Sequence, residues 1–330
     1  TFFALMSIGF FYRLALLLTR SHNAAPIAAA MLAVNPLHAF FSKFPVTEMP
    51  TLAFSLIGFT LLAAHWMANP EKRRSSWLWL SVGAFLCLFV ARISGFMYMP
   101  FVIAIAFASM VADEDRKRSR AVMIWAVATA ILYLVSVWYG LKWSGHYSKD
   151  IYRTSFDPIM GRYWRQILML LLLFAVSTWV ILARLARNDS WRAGLRQWIL
   201  EPSRFLIGPI VLLGLAVGIL KIYWLGWTDH YANNETAVRW GFSHAEFMAV
   251  DAASLTGLVI YLGPLIPLLF VAFTLRNKDD PALVMLRGFA AGFFVYVAVW
   301  QWIMPYQPYY ARYLLSEAAP YMILLVALVW

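Results

Sequence analysis

Long apolar runs decide what this chain can become. They cover roughly 1–19, 24–41, 49–68, 76–91, 94–111, 121–141, 166–186, 205–227, 252–274, 287–304 and 316–330. A helix rises 1.5 Å per residue, so about 20 such residues cross a hydrocarbon core of about 30 Å. Composition agrees: 62% of residues are hydrophobic and only 13% charged, against about a quarter charged in an ordinary soluble domain, and mean hydropathy is +0.69. The expected fold is an all-α, polytopic transmembrane bundle of about eleven spans forming one domain over 1–330. No internal repeat or heptad array interrupts it. The chain opens at Thr1 and closes at Trp330 inside apolar runs, which reads as a piece of a longer protein, cut at both ends.

Within Ser76–Val111 two runs join into 36 residues. A single helix of that length would measure about 54 Å, so Arg92 and Gly95 are expected to mark a bend between two spans. Cys87, the sole cysteine, lies inside this stretch and reads as a small core side chain.

The charges sort by loop. Sixteen of the 27 Lys and Arg residues fall in one alternating set of loops, nine in the other, and Arg13 and Lys221 within spans. The positive-inside rule makes the richer set cytoplasmic, so Thr1 starts outside and the protein sits in a plasma or inner membrane. The net charge of +11 is therefore a topology signal, and no continuous basic stripe offers itself to nucleic acid. In the cytoplasmic loops acids share space with bases, as in Asp113-Glu114-Asp115 before Arg116, and read as solvated charge runs. The outer loops instead mix Tyr, Trp, His and carboxylates, a texture that suits a sugar or a lipid headgroup.

Several outer-face groups carry candidate chemistry. In NPLHAFFSKFPVTEMP (35–50) a Pro-containing span ends, a short loop follows, and Thr47-Glu48-Met49-Pro50 starts the next helix. Proline in the first turn is a helix-start signature, and the helix dipole favours a carboxylate there. Glu48 is thus a helix cap, or else a base, a hydroxyl-orienting group or a ligand for a divalent cation such as Mg or Mn. Arg92 interrupts the longest apolar run. It either snorkels to lipid phosphate or binds the phosphate of a lipid-linked substrate. Arg312, flanked by Tyr309, Tyr310 and Tyr313 in YQPYYARYLL, suits a phosphate or a sugar ring, with interfacial anchoring as the plain alternative. His146, Tyr147 and Asp150 sit together in one outer loop and can line an acceptor or sugar pocket. His38, His146, His230 and His244 show no zinc-binding spacing. Nor is there a Walker A, dinucleotide or GxSxG signature, so nucleotide-driven chemistry has no support.

The order NPLHAFFSKFPVTE, then LCLFVARISGFMYMPFVIAI, then YYARYLLSEAAPYMILL resembles the type C membrane glycosyltransferases, in particular their protein O-mannosyltransferase and aminoarabinose-transferase-like branch. The resemblance implies a polyprenyl-phosphate-linked sugar as donor and a lipid, glycan or protein acceptor at the extracytoplasmic face. It implies an acidic catalytic role for Glu48 and donor-phosphate contacts from Lys43, Arg92 and Arg312. It also implies a catalytic Asp in an outer loop that would precede Thr1. A glycosylphosphatidylinositol-mannosyltransferase-like relative is a third expectation, sharing the superfamily and the acidic loop before a helix but differing in acceptor. The competing expectation is a transporter or flippase for a lipid-linked or anionic solute. Transporters place charges at the midplane and often carry inverted repeats, whereas Lys43, Glu48, Arg92 and Arg312 gather near one face of the expected topology.

Overall fold

A computed structural model of the chain describes residues 1–43, 47–92, 98–113, 115–143 and 319–329 continuously, with individual positions at 95, within 166–197 and within 241–246. Among these residues it is all-α, with eight helices named here: α1 (Phe2–Thr19), α2 (Ala24–Val34), α3 (Pro36–Phe41), α4 (Glu48–Met67), α5 (Ser75–Ala91), α6 (Met99–Ala112), α7 (Arg116–Trp143) and α8 (Ala319–Val329). A single 3-10 turn, Pro70–Lys72, precedes α5. The α1, α4 and α7 helices are long and apolar enough to cross a membrane, and α2, α5 and α6 are shorter apolar helices. Three such spans mark a multi-pass membrane protein.

Chain contacts cluster into two compact units, 1–56 with 200–330, and 57–199. In the first unit α1, α2 and α8 pack on one another. The buried face of α2 is Ala24, Ala25, Ala28, Ala29 and Leu32, and small residues at that spacing let neighbouring helices approach closely where lipid offers no hydrophobic drive. On α1, Ala4, Ser7, Phe11, Leu14 and Ala15 are buried with the spacing of one helical face. Phe3 meets Phe54 of α4 edge-on at 5.7 Å.

In the second unit α7 packs on both α5 and α6, and the end of α4 joins them. Phe85 is fully buried, with ring contacts to Phe59, Phe89, Tyr98 and Trp125. Gly58 lies against that ring: a Cβ there would come within 2.7 Å of Phe85 Cε2. A hydrogen-bond chain crosses the same layer, the Trp125 indole donating to Ser81 Oγ at 3.0 Å and Ser81 donating to the Gly58 carbonyl at 2.8 Å. It ties α7, α5 and α4 together at one depth.

The outward faces are apolar. Along α7, Ile124, Val127, Ile131, Leu134 and Trp138 are exposed while Val122, Trp125, Ala126 and Thr129 are buried. The stripe turned out of the fold follows the helical period, as a lipid-facing surface should. Cys87 falls on the corresponding face of α5 and is exposed, correcting its expected place in the core. Position alone inside an apolar run does not distinguish a core face from a lipid face.

Two boundaries differ from the sequence reading. The run 24–41 is not one helix: Asn35 takes an extended backbone and ends α2, and its side chain caps α3 by accepting from the Leu37 N–H at 3.0 Å, with Pro36 in the first turn. Proline disfavours a helical residue before it, which explains the break. The expected bend at Arg92 is present. The α5 helix stops at Ala91, Arg92 is extended, and α6 starts only at Met99 with Pro100 in its first turn. The expected runs at 166–186, 205–227, 252–274 and 287–304 lie largely or wholly outside the described residues.

Candidate functional site

Glu48 opens α4 in the first unit. The preceding residue supplies the first helical acceptor: the Thr47 carbonyl takes the Thr51 N–H at 3.0 Å and the Thr51 hydroxyl at 2.7 Å. Glu48 is 1% exposed and its neighbours Met49, Thr51 and Leu52 are also buried. The acidic position therefore faces into the protein at the first turn of a membrane-length helix. Lys43 lies in the turn after α3, its N–H donating to the Phe40 carbonyl at 3.2 Å and its side chain exposed.

Between α1 and α3 lies a polar contact that sequence reasoning missed. His38 Nε2 is 3.0 Å from Ser7 Oγ, and Ser7 also donates to the Ala4 carbonyl at 2.7 Å. Both residues are buried, so His38 joins two helices through Ser7. Ser7 gave no signal, being a lone hydroxyl in the apolar string FFALMSIGFF.

Arg92 belongs to the second unit. It is 8% exposed, its N–H closes α5 on the Leu88 carbonyl at 3.1 Å and its carbonyl accepts from Gly95 at 3.1 Å. Its burial leaves little of the residue open to a lipid headgroup. Gly95 is required beside it, since a Cβ there would fall 2.7 Å from Phe89 Cδ1. Arg312, His146, Tyr147, Asp150, Tyr309 and Tyr310 lie outside the described residues. Among the described residues no three His, Cys, Asp or Glu side chains converge on a candidate metal position.

The second unit carries a different constellation at the α4–α5 and α6–α7 turns. Arg73 binds Asp115 at 2.6 Å, and Arg118 binds Asp113 through two guanidinium nitrogens. Arg118 also donates to the Trp66 carbonyl at 2.9 Å and stacks on the Trp66 ring, and Arg192 donates to the Asp113 carbonyl. Asp115 caps α7, accepting from the Lys117 and Arg118 N–H groups. The Arg73 guanidinium and those caps hold its carboxyl at about 2, well below the usual carboxylate range. Asp113 has no exposed side-chain surface, so the sequence reading of a solvated run is corrected there. In the first unit, Ser243 and Glu246 form a reciprocal capping pair, the Ser243 N–H and hydroxyl both donating to Glu246 Oε2. Those bonds hold the Glu246 carboxyl below its ordinary value, and the spacing S-x-x-E was the available signal.

Against this geometry the comparisons with known proteins are silent: no family model, no curated protein and no solved structure matches the chain.

Proposed function

We propose that the chain is an integral-membrane glycosyltransferase that moves a sugar from a polyprenyl-phosphate-linked donor to a lipid, glycan or protein acceptor at the extracytoplasmic face. The observation that carries this reading is the burial of Glu48 at the first turn of α4. Ionisable groups within membrane segments are costly and are held there for chemistry or transport.

In the proposed reaction the acceptor hydroxyl attacks the anomeric carbon, the carbon–oxygen bond to phosphate breaks with its electron pair leaving on the phosphate, and the hydroxyl proton passes to Glu48. Lys43, Arg92 and Arg312 would offset the charge left on the polyprenyl phosphate. The glycosyl-phosphate bond supplies the driving force, which accords with the absence of nucleotide motifs in the sequence.

The test is transfer of labelled sugar from a panel of polyprenyl-phosphate sugars by membranes holding the protein, wild type beside Glu48→Gln. The expected result is release of polyprenyl phosphate and a labelled product in the wild type, reduced about 100-fold or more in the variant, the range for loss of a general base. Donor that binds or crosses the membrane without being consumed would replace the transferase reading with the transporter.

A further inference from the structure

We propose that the turn end of the second unit is a binding surface for anionic phospholipid headgroups, formed by Lys72, Arg74, Lys117 and Arg120.

The loops there look mixed in sequence, with Glu71, Asp113, Glu114 and Asp115 among the bases. Folding sorts them. Asp113 is fully buried on Arg118, and Asp115 is committed to Arg73 and the α7 backbone. Lys72, Arg74, Lys117 and Arg120 are exposed, and none of them has an ion pair among the described residues. Of the acids described at these two turns, only Glu71 has an exposed position beside them. Since residues 73 and 115 touch, the four cations belong to one rim rather than two separate loops. Among the described residues of these turns, four cations without an ion pair stand beside one exposed acid, while Asp189 is taken up by Arg116.

Its depth points to lipid. Arg120 precedes Ile124, the first member of the exposed apolar stripe on α7, by about 6 Å along the axis. Trp79, exposed in the first turns of α5, and Trp66 at the end of α4 lie at the same end, the level where tryptophan marks the membrane boundary. At the far end of α7 the Lys142 ammonium sits over Trp138 and Trp143, so α7 is bracketed by two such boundaries. Cations strung along a rim at headgroup depth match a plane of phosphates better than one compact anion, and each such charge near an anionic surface strengthens binding roughly five-fold.

The full chain, purified in detergent, would be titrated with phosphatidylglycerol or with phosphatidylcholine of the same acyl chains, and bound lipid counted by native mass spectrometry. The wild type should prefer phosphatidylglycerol by about five-fold or more, and the preference should fall to two-fold or less, roughly, in Lys72→Gln/Arg74→Gln/Lys117→Gln/Arg120→Gln. It should also fall in wild-type protein at about 0.5 M salt, which screens exposed charges. The control Arg13→Gln should keep the preference. Equal loss in that control would assign the effect to net charge and overturn the proposal. So would a preference unchanged in the quadruple variant, absent in the wild type, or abolished by millimolar inorganic phosphate.

Discussion

The middle of the second unit and its charged rim are built from the same helices by opposite means. In the middle, Gly58, Phe85, Ser81 and Trp125 meet in one buried layer of fitted rings and hydrogen bonds. At the rim, Arg118 alone engages Asp113, the Trp66 carbonyl and the Trp66 ring, and Arg192 returns to the same Asp113. The interior layer specifies helix positions through shape, and its losses cannot be made up by water. The rim specifies which carboxylate meets which arginine, and water and salt can substitute for the partly exposed Arg73–Asp115 pair.

Phe85→Ala should break the layer most, by about 3 kcal/mol, because it removes a fully buried ring with four aromatic neighbours. Denaturation in mixed micelles would measure it. Gly58→Val should follow at about 2 kcal/mol through overpacking, since the Phe85 ring is boxed by Phe59, Tyr98 and Trp125. Ser81→Ala should cost about 1–2 kcal/mol by stranding the Trp125 indole N–H. The double variant Ser81→Ala/Trp125→Phe should cost less than the two single changes added, and an additive double-mutant cycle would deny the coupling. Asp115→Asn should cost at most about 1 kcal/mol, shrinking with salt. A rim loss as large as that of Phe85→Ala would erase the contrast.

The pH dependence is the smallest effect. Asp115 has a folded value of about 2 against an ordinary 3.8, so its contribution is complete above about 4 and is lost as pH falls through about 2. Wild-type stability relative to Asp115→Asn should therefore be flat from neutral pH down to about 4, then converge. Divergence between pH 5 and 7 would mean that another group controls the pair.

Much of this was legible in the chain because lipid demands it. The apolar runs at 1–19, 49–68, 76–91 and 121–141 correspond to α1, α4, α5 and α7 within a few residues, and the charge at Arg92 located the bend. Helix starts were harder. The apolar signal begins at Ala121, yet α7 begins at Arg116, because Asp115 caps a turn of charged residues that hydropathy ignores. At the candidate site, Glu48 and its helix start were readable from Thr47 to Pro50. The Ser7–His38 clamp was not, since no spacing rule joins residues 31 positions apart. Burial of Asp113 beside exposure of Lys117 was equally hidden, because a charge run carries no sign of which members turn inward.

The chain of hydrogen bonds from Trp125 through Ser81 to Gly58 also limits how the sequence can drift. A hydroxyl at 81 both receives and donates, so a lineage that replaces the serine with alanine strands an indole donor until Trp125 changes too. A Cβ at 58 demands a smaller ring at 85. Positions 58, 81, 85 and 125 should therefore be inherited as a set, and among descendants of this chain their substitutions should travel together.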